Sequence, residues 1–194
     1  MKQLEDKILS DGIVAEGDVL KVGSFLNQQI DVELSAAMAD EFYRLFGESN
    51  VTKIVTVEAS GIGLACLAAE RFRCPVVFAK KSKSTNISGE VFTAQAFSYT
   101  HRNLNTLVIP RDFLSPGDRI LIIDDFLASG NAVNALTDIV RQVGAALVGV
   151  GIAVEKVYQG GGDQLRAQGI PVHSLAMIES MSVENGVVFV TDRE

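Results

Sequence analysis

Residues 120–132 read Ile-Leu-Ile-Ile-Asp-Asp-Phe-Leu-Ala-Ser-Gly-Asn-Ala, and no other stretch limits the chain so strongly. Ile120 to Ile123 form a continuous apolar run that ends in two adjacent carboxylates, Asp124 and Asp125. A loop of small residues follows, and a helical pattern begins at Asn131. Strand, acid pair, small-residue loop and helix together make a sugar-phosphate site. Loop amides and a helix N-terminus hold a phosphate dianion, and the carboxylates accept hydrogen bonds from sugar hydroxyls. The competing account is a buried strand whose Asp125 or Ser129 only caps the next helix, since both are ordinary cap residues.

The order of the remaining segments favours the first account. Lys2 to Leu9 predicts a short helix, and Ile13 to Val22 predicts two short extended pieces around Glu16-Gly17-Asp18. Asp31 is placed to cap a helix running through Phe46, with Leu34, Met38, Phe42 and Leu45 on one face. Lys53 to Val57 and Pro75 to Ala79 are expected as buried strands. Between them lie a Glu58-Ala59-Ser60-Gly61 turn and a helix from about Ile62 to Phe72. Val91 to Phe97 alternates as an exposed hairpin arm does, with Asn105 to Ile109 as its partner. Ser115-Pro116-Gly117-Asp118 is a turn, and Asn131 to Val143 a helix closed by Gly144. Ala146 to Val154 is another strand, and Gly160-Gly161-Gly162 a flexible break before a short helix, Asp163 to Gln168. Pro171 to Ile178 and Val187 to Val190 are the last strands.

Strands alternating with helices predict an α/β fold with a mainly parallel, doubly wound sheet. Ligands of such sheets sit at the carboxyl ends of the strands. The segments at Glu58, Lys80, Asp124 and Glu155 all follow expected strands, so they should converge on one edge.

Charge and composition exclude several classes. Lysine and arginine total 17 against 24 aspartates and glutamates, a net charge of −7 that opposes nucleic-acid binding. No window reaches the roughly 18 apolar residues of a membrane span, and Met1 to Asp11 lacks the apolar core of a signal peptide. The expectation is a soluble, cytoplasmic protein. Cys66 and Cys74 imply no disulfide framework and are expected as small buried hydrophobes. His101 and His173 have no companions, which argues against a zinc site or a histidine triad.

Residues 120–132 resemble the phosphoribosyl-pyrophosphate (PRPP) motif of type I phosphoribosyltransferases: four apolar residues, two acids, two apolar residues and a small loop. The order Glu58-Ala59-Ser60-Gly61, Lys80-Lys81, an excursion to Ser98-Tyr99 and then Pro-Gly-Asp is similar to the adenine and xanthine branch of that family. Val19 to Val22, Phe25 to Asp31 and Val154-Glu155-Lys156 resemble its bacterial xanthine-using members.

The resemblance implies the type I fold over residues 1–194 as one domain. Its hood would come from about 1–31 and the C-terminal strands, and its lid from about 80–104. The implied reaction is xanthine plus PRPP giving xanthosine monophosphate and pyrophosphate. Ala128, Ser129, Gly130, Asn131 and Ala132 would wrap the 5-phosphate. Asp124 and Asp125, the catalytic pair, would hold the ribose hydroxyls and stabilise positive charge as the ribose becomes oxocarbenium-like. Ser60 and Gly61 would present amides to the pyrophosphate; adenine enzymes usually carry Arg at the position of Ser60. Lys80 and Lys81, with Lys83, either clamp the pyrophosphate or form a solvated basic turn. Mg²⁺ is implied, bound through PRPP rather than by a named protein ligand. The base would meet Leu20, Asn27 and Lys156, with Glu155 orienting Lys156 or balancing its charge. Phe126 is either an apolar wall of the base site or core, and Tyr99 belongs to the lid or packs against it. The resemblance also implies a homodimer.

Alternatives on the same scaffold are adenine, hypoxanthine or guanine specificity. A PRPP-sensing regulator would need a DNA-binding element, and only about 50 residues, with no basic recognition helix, precede the first core strand.

Overall fold

The computed structural model describes residues 1–81, 89–98 and 103–191. Helix α1 (Lys2–Asp11) leads into a small antiparallel hairpin, β1 (Ile13–Ala15) and β2 (Val19–Lys21). A π-helical turn, Gly23–Asn27, precedes α2 (Val32–Phe46). Asp31 caps α2, accepting from the Leu34 amide at 3.0 Å, as its position predicted. Then come β3 (Lys53–Val57), α3 (Ser60–Phe72) and β4 (Val76–Ala79). The arm is β5 (Val91–Ser98) paired antiparallel with β6 (Asn103–Pro110). Strand β7 (Arg119–Leu127) carries the acid pair and is followed by α4 (Asn131–Val143), β8 (Ala146–Lys156), α5 (Gly161–Ala167), β9 (Val172–Ser182) and β10 (Gly186–Phe189).

The main sheet has the order β10-β9-β8-β7-β3-β4, parallel throughout except for antiparallel β10. Its centre is β7, and the apolar run explains why. Leu121 and Ile123 enter one core with Leu34, Met38 and Phe42 of α2 and Leu64 of α3. Ile120 and Ile122 enter the opposite core with Val133, Leu136 and Ile139 of α4 and Leu107 and Ile109 of the arm. Successive strand side chains alternate faces, so a strand covered on both sides must be apolar at every position.

Several boundaries differ from expectation. Strand β7 does not stop at Ile123. Asp124, Phe126 and Leu127 stay in register with Ile152, Val154 and Glu155, so both acids lie within the strand. Strand β8 likewise runs on through Glu155 and Lys156. Strand β4 is the sheet edge rather than a buried strand, and Phe78 is exposed. Cys66 is exposed and Cys74 half-buried, so neither is the buried hydrophobe expected. The arm is not simply exposed, because Ala96, Leu107 and Ile109 are buried against the sheet and α4. Gly161 and Gly162 are buried inside α5 and form no flexible break.

No helix among the described residues is long and apolar enough to cross a membrane. Lys83, Tyr99 and His101 lie outside the described residues, as does much of the expected lid.

Candidate active site

The chain leaves β7 through Ala128-Ser129-Gly130 and enters α4 at Asn131. Gly130 sits at φ +82°, a left-handed conformation that glycine adopts without steric cost. Its carbonyl accepts from the Asn134 amide at 2.8 Å, the first bond of the helix. No side chain caps α4, and Ser129 Oγ instead accepts from Asn131 Nδ2 at 3.0 Å. The account in which Asp125 or Ser129 is only a cap therefore fails. A helix start left uncapped by side chains, with positive partial charge on its amides, can hold an anion.

That loop is one wall of a cavity of about 790 Å³, within the roughly 300–1,000 Å³ usual for small-molecule pockets. Residues 128–133 line it from the α4 side, and the tip of the β1–β2 hairpin with Asn27 from the other. Phe126, Leu127, Lys156 and Gln159 complete the lining. Asn27 Nδ2 donates to Asp125 Oδ2 at 3.5 Å, bringing the π-helical turn up to the acid pair.

Both acids are buried. Burial first, and the Asp125 charge second, push the Asp124 carboxyl well above the usual carboxylate range. The Asp125 amide donates to Asp124 Oδ1 at 3.0 Å. Behind the acids, the start of α3 comes very close. A Cβ on Gly61 would overlap Thr56 Oγ1 and lie 2.9 Å from Asp124 Oδ1, so only glycine fits there. Ser60 opens α3 and is half-buried. The Lys81 amide donates to Glu58 Oε1 at 2.7 Å, and the Lys81 charge favours ionised Asp124. Lys80 is tied by its backbone to Val108, donating at 3.0 Å and accepting at 2.9 Å. Ser60, Gly61, Lys80 and Lys81 thus flank Asp124 or the adjoining strand and do not line the cavity.

Lys156 is a buried lysine whose ammonium donates to the Asp18 backbone carbonyl, with Asp18 Oδ2 at 3.8 Å. Burial lowers its pKa, and Asp18 partly restores it. Glu155 does not orient Lys156. It takes both terminal nitrogens of Arg166, at 2.9 and 2.7 Å, and the Ser174 hydroxyl at 2.5 Å. Neighbours on a strand point to opposite faces, so the two residues serve different partners.

Residues 21–167 match the family model described as the phosphoribosyl transferase domain. The chain belongs to that family. A xanthine phosphoribosyltransferase of Lachnoclostridium phytofermentans is 51% identical over 188 residues, covering 97% of each chain. One from Ruminiclostridium cellulolyticum is 50% identical over 192 residues, covering 99% of this chain and 100% of its own. Among solved structures, adenine phosphoribosyltransferase of Trypanosoma brucei superposes with TM-score 0.77 at 19% identity, over 94% of this chain and 83% of its own. That of Rhodothermus marinus gives 0.73 at 21%, over 91% and 99%. At such identities the structural likeness is one of fold.

In this phosphoribosyl transferase domain, the cavity gathers Ala128 to Ala132, Leu20, Asn27 and Lys156 from segments far apart in sequence. Phe126, left open between core and wall, lines the cavity. Asp18, Gln159 and Gly161 were missed by sequence reasoning. Asp18 stands at φ +64°, a left-handed conformation that Asp tolerates better than most residues. The Gly17-Asp18 pair was the available signal for a tight, functional turn.

Proposed function

We propose that this chain transfers the 5-phosphoribosyl group of PRPP to xanthine, giving xanthosine 5′-monophosphate and pyrophosphate. The observation that carries the reading is one cavity that joins an uncapped helix start to a buried lysine. The first suits a phosphate, and the second suits a base rich in carbonyl oxygens. Relatives 46–51% identical over nearly their whole length are named xanthine phosphoribosyltransferase, which supports the choice of base.

In this reading Ala128 to Ala132 hold the 5-phosphate, through amides and the Ser129 hydroxyl. Asp124 and Asp125 accept from the ribose hydroxyls, and their charge stabilises the oxocarbenium-like ribose as the pyrophosphate leaves. Asn27 orients Asp125 and closes the base site beside Leu20. Phe126 supplies an apolar wall. The Lys156 ammonium donates to a base carbonyl. Ser60 and Gly61 meet the pyrophosphate through their amides, and Lys81, with Lys80, adds positive charge beside it.

Mg²⁺ would enter with PRPP, held mainly by diphosphate oxygens and water. The hard carboxylate oxygens of Asp124 and Asp125 suit such an ion. When bound, it neutralises the leaving diphosphate. We also propose a cytoplasmic homodimer, to which exposed apolar residues such as Leu9 and Ile13 would contribute.

The test is product formation with PRPP and Mg²⁺ against xanthine, hypoxanthine, guanine and adenine in parallel. Xanthosine monophosphate should dominate. Turnover of only another base would discard the Lys156 assignment and keep the PRPP site. PRPP binding without turnover of any base would move the chain toward a sensor.

A further inference from the structure

Asp18 holds three residues, Lys156, Tyr158 and Gln159, two of which share the cavity wall with it. The Tyr158 hydroxyl donates to its Oδ1 at 2.5 Å, and Gln159 Nε2 donates to its Oδ2. Its backbone carbonyl accepts from the Lys156 ammonium. These contacts span 138 to 141 residues of sequence and join the tip of the β1–β2 hairpin to the end of β8. Asp18, Lys156 and Gln159 all line the cavity.

The arrangement fixes a donor. A loose lysine side chain keeps many rotamers, and a held one does not. Here the Lys156 side chain is only 10% exposed, so its three protons need partners other than bulk water. Asp18 takes one proton directly. Its carboxylate, held by Tyr158 and Gln159, lies 3.8 Å away as a countercharge. The remaining donor capacity is left for a ligand in the cavity. Glu155, the other acid at this strand end, is committed to Arg166 and Ser174 on the opposite face and supplies no such countercharge.

Resting on the xanthine reading above, we propose that Asp18 is a specificity-determining positioning residue, which holds the Lys156 ammonium where a second base carbonyl must meet it. Xanthine offers carbonyl oxygens at positions 2 and 6, whereas hypoxanthine offers only one. A donor held in place and desolvated favours the base that satisfies it and penalises the base that leaves it unpaired. A loose lysine would follow either base, and discrimination would fall. Asp18 acts through Lys156, so PRPP affinity does not depend on it.

The experiment compares wild type, Asp18→Asn and Tyr158→Phe, with kcat/KM for xanthine and hypoxanthine and KM for PRPP. Asparagine tolerates the left-handed turn, so Asp18→Asn removes the charge without forcing the hairpin open. We expect its xanthine-to-hypoxanthine ratio to fall about tenfold, the order of one charge-assisted hydrogen bond. The change should sit mainly in xanthine KM, with PRPP KM unchanged, and Tyr158→Phe should shift the ratio less in the same direction. An unchanged ratio in Asp18→Asn, while wild type prefers xanthine, overturns this inference alone. An equal loss for both bases and for PRPP assigns Asp18 to hairpin structure and overturns it too. A wild type that does not use xanthine removes the base assignment and this inference with it.

Discussion

Arg166 grips Glu155 through both terminal nitrogens, at 2.9 and 2.7 Å, and so fastens α5 to the end of β8. The pair is asymmetric: Glu155 is 1% exposed and Arg166 32%. Removing the arginine strands a buried carboxylate with only the Ser174 hydroxyl, whereas removing the glutamate leaves a guanidinium that reaches water. Arg166→Ala should therefore destabilise the protein by about 3 kcal/mol or more. Glu155→Gln, which keeps a partner for Ser174, should cost roughly half that. Urea denaturation midpoints of the two variants check the order, and a larger loss in Glu155→Gln would contradict it.

The same attachment presses α5 against the loop of Ala128 to Gly130. The Gly161 amide donates to the Ala128 carbonyl at 3.1 Å. A Cβ on Gly161 would collide with that carbonyl oxygen and lie 2.5 Å from the Gly130 nitrogen. Gly161→Ala must then push the loop that is proposed to hold the 5-phosphate. The expected outcome is a rise in PRPP KM of about tenfold or more, since displacements near 1 Å cost on the order of a hundredfold in such sites. Xanthine KM should change far less. Steady-state kinetics with each substrate varied in turn separates the two.

How far the sequence carried the fold depended on whether a signal was local. The apolar run of Ile120 to Ile123, the Asp31 cap and the Gly144 stop each act within a few residues, and each stands where its chemistry predicted. The strand ends did not follow local composition. Asp124, Asp125, Glu155 and Lys156 are polar, yet pairing between β7 and β8 carries the strands through them. The triglycine at 160–162 carries the composition of a flexible break. Its tightness comes from Ala128, Gly130 and Glu155, which are distant in sequence, and no periodicity encodes that contact. The partners of Lys156 were equally hidden: adjacency suggested Glu155, whereas strand alternation turns Glu155 away and the hairpin delivers Asp18.

Asp124 links function to pH. Burial and the neighbouring Asp125 raise its pKa, so the folded protein holds this proton more tightly than the unfolded chain does. Its contribution to stability is complete below the ordinary carboxylate value of 3.8 and is lost as pH rises through the raised value. Asp124→Asn removes that loss because an amide does not ionise. The melting temperature of Asp124→Asn should exceed that of wild type by a margin that grows as pH rises from 3.8 toward the raised value and levels off above it, as the linkage requires. Turnover should meanwhile collapse, since the amide brings no charge to the ribose, the usual exchange of stability for activity at such a site. A constant difference in melting temperature across that range would show that Asp124 does not carry a raised pKa.

Lys156→Met tests the base assignment against a purely structural role for the lysine. Methionine is close to lysine in length and flexibility, and it fills the same space without the ammonium. Burial already works against the charged form of Lys156, so losing the charge should leave stability unchanged or slightly higher. If the ammonium reads the base, xanthine KM should rise about tenfold to a hundredfold, the range for a hydrogen bond to a charged group. PRPP KM should hold, because the residues proposed to bind PRPP, Ala128 to Ala132 and the acid pair, are untouched. Adenine offers no carbonyl to such a donor, so any trace of adenine turnover should be unaffected or improved. Parallel loss for every purine together with PRPP would remove the recognition role of Lys156 and leave it as a tie between the two halves of the cavity.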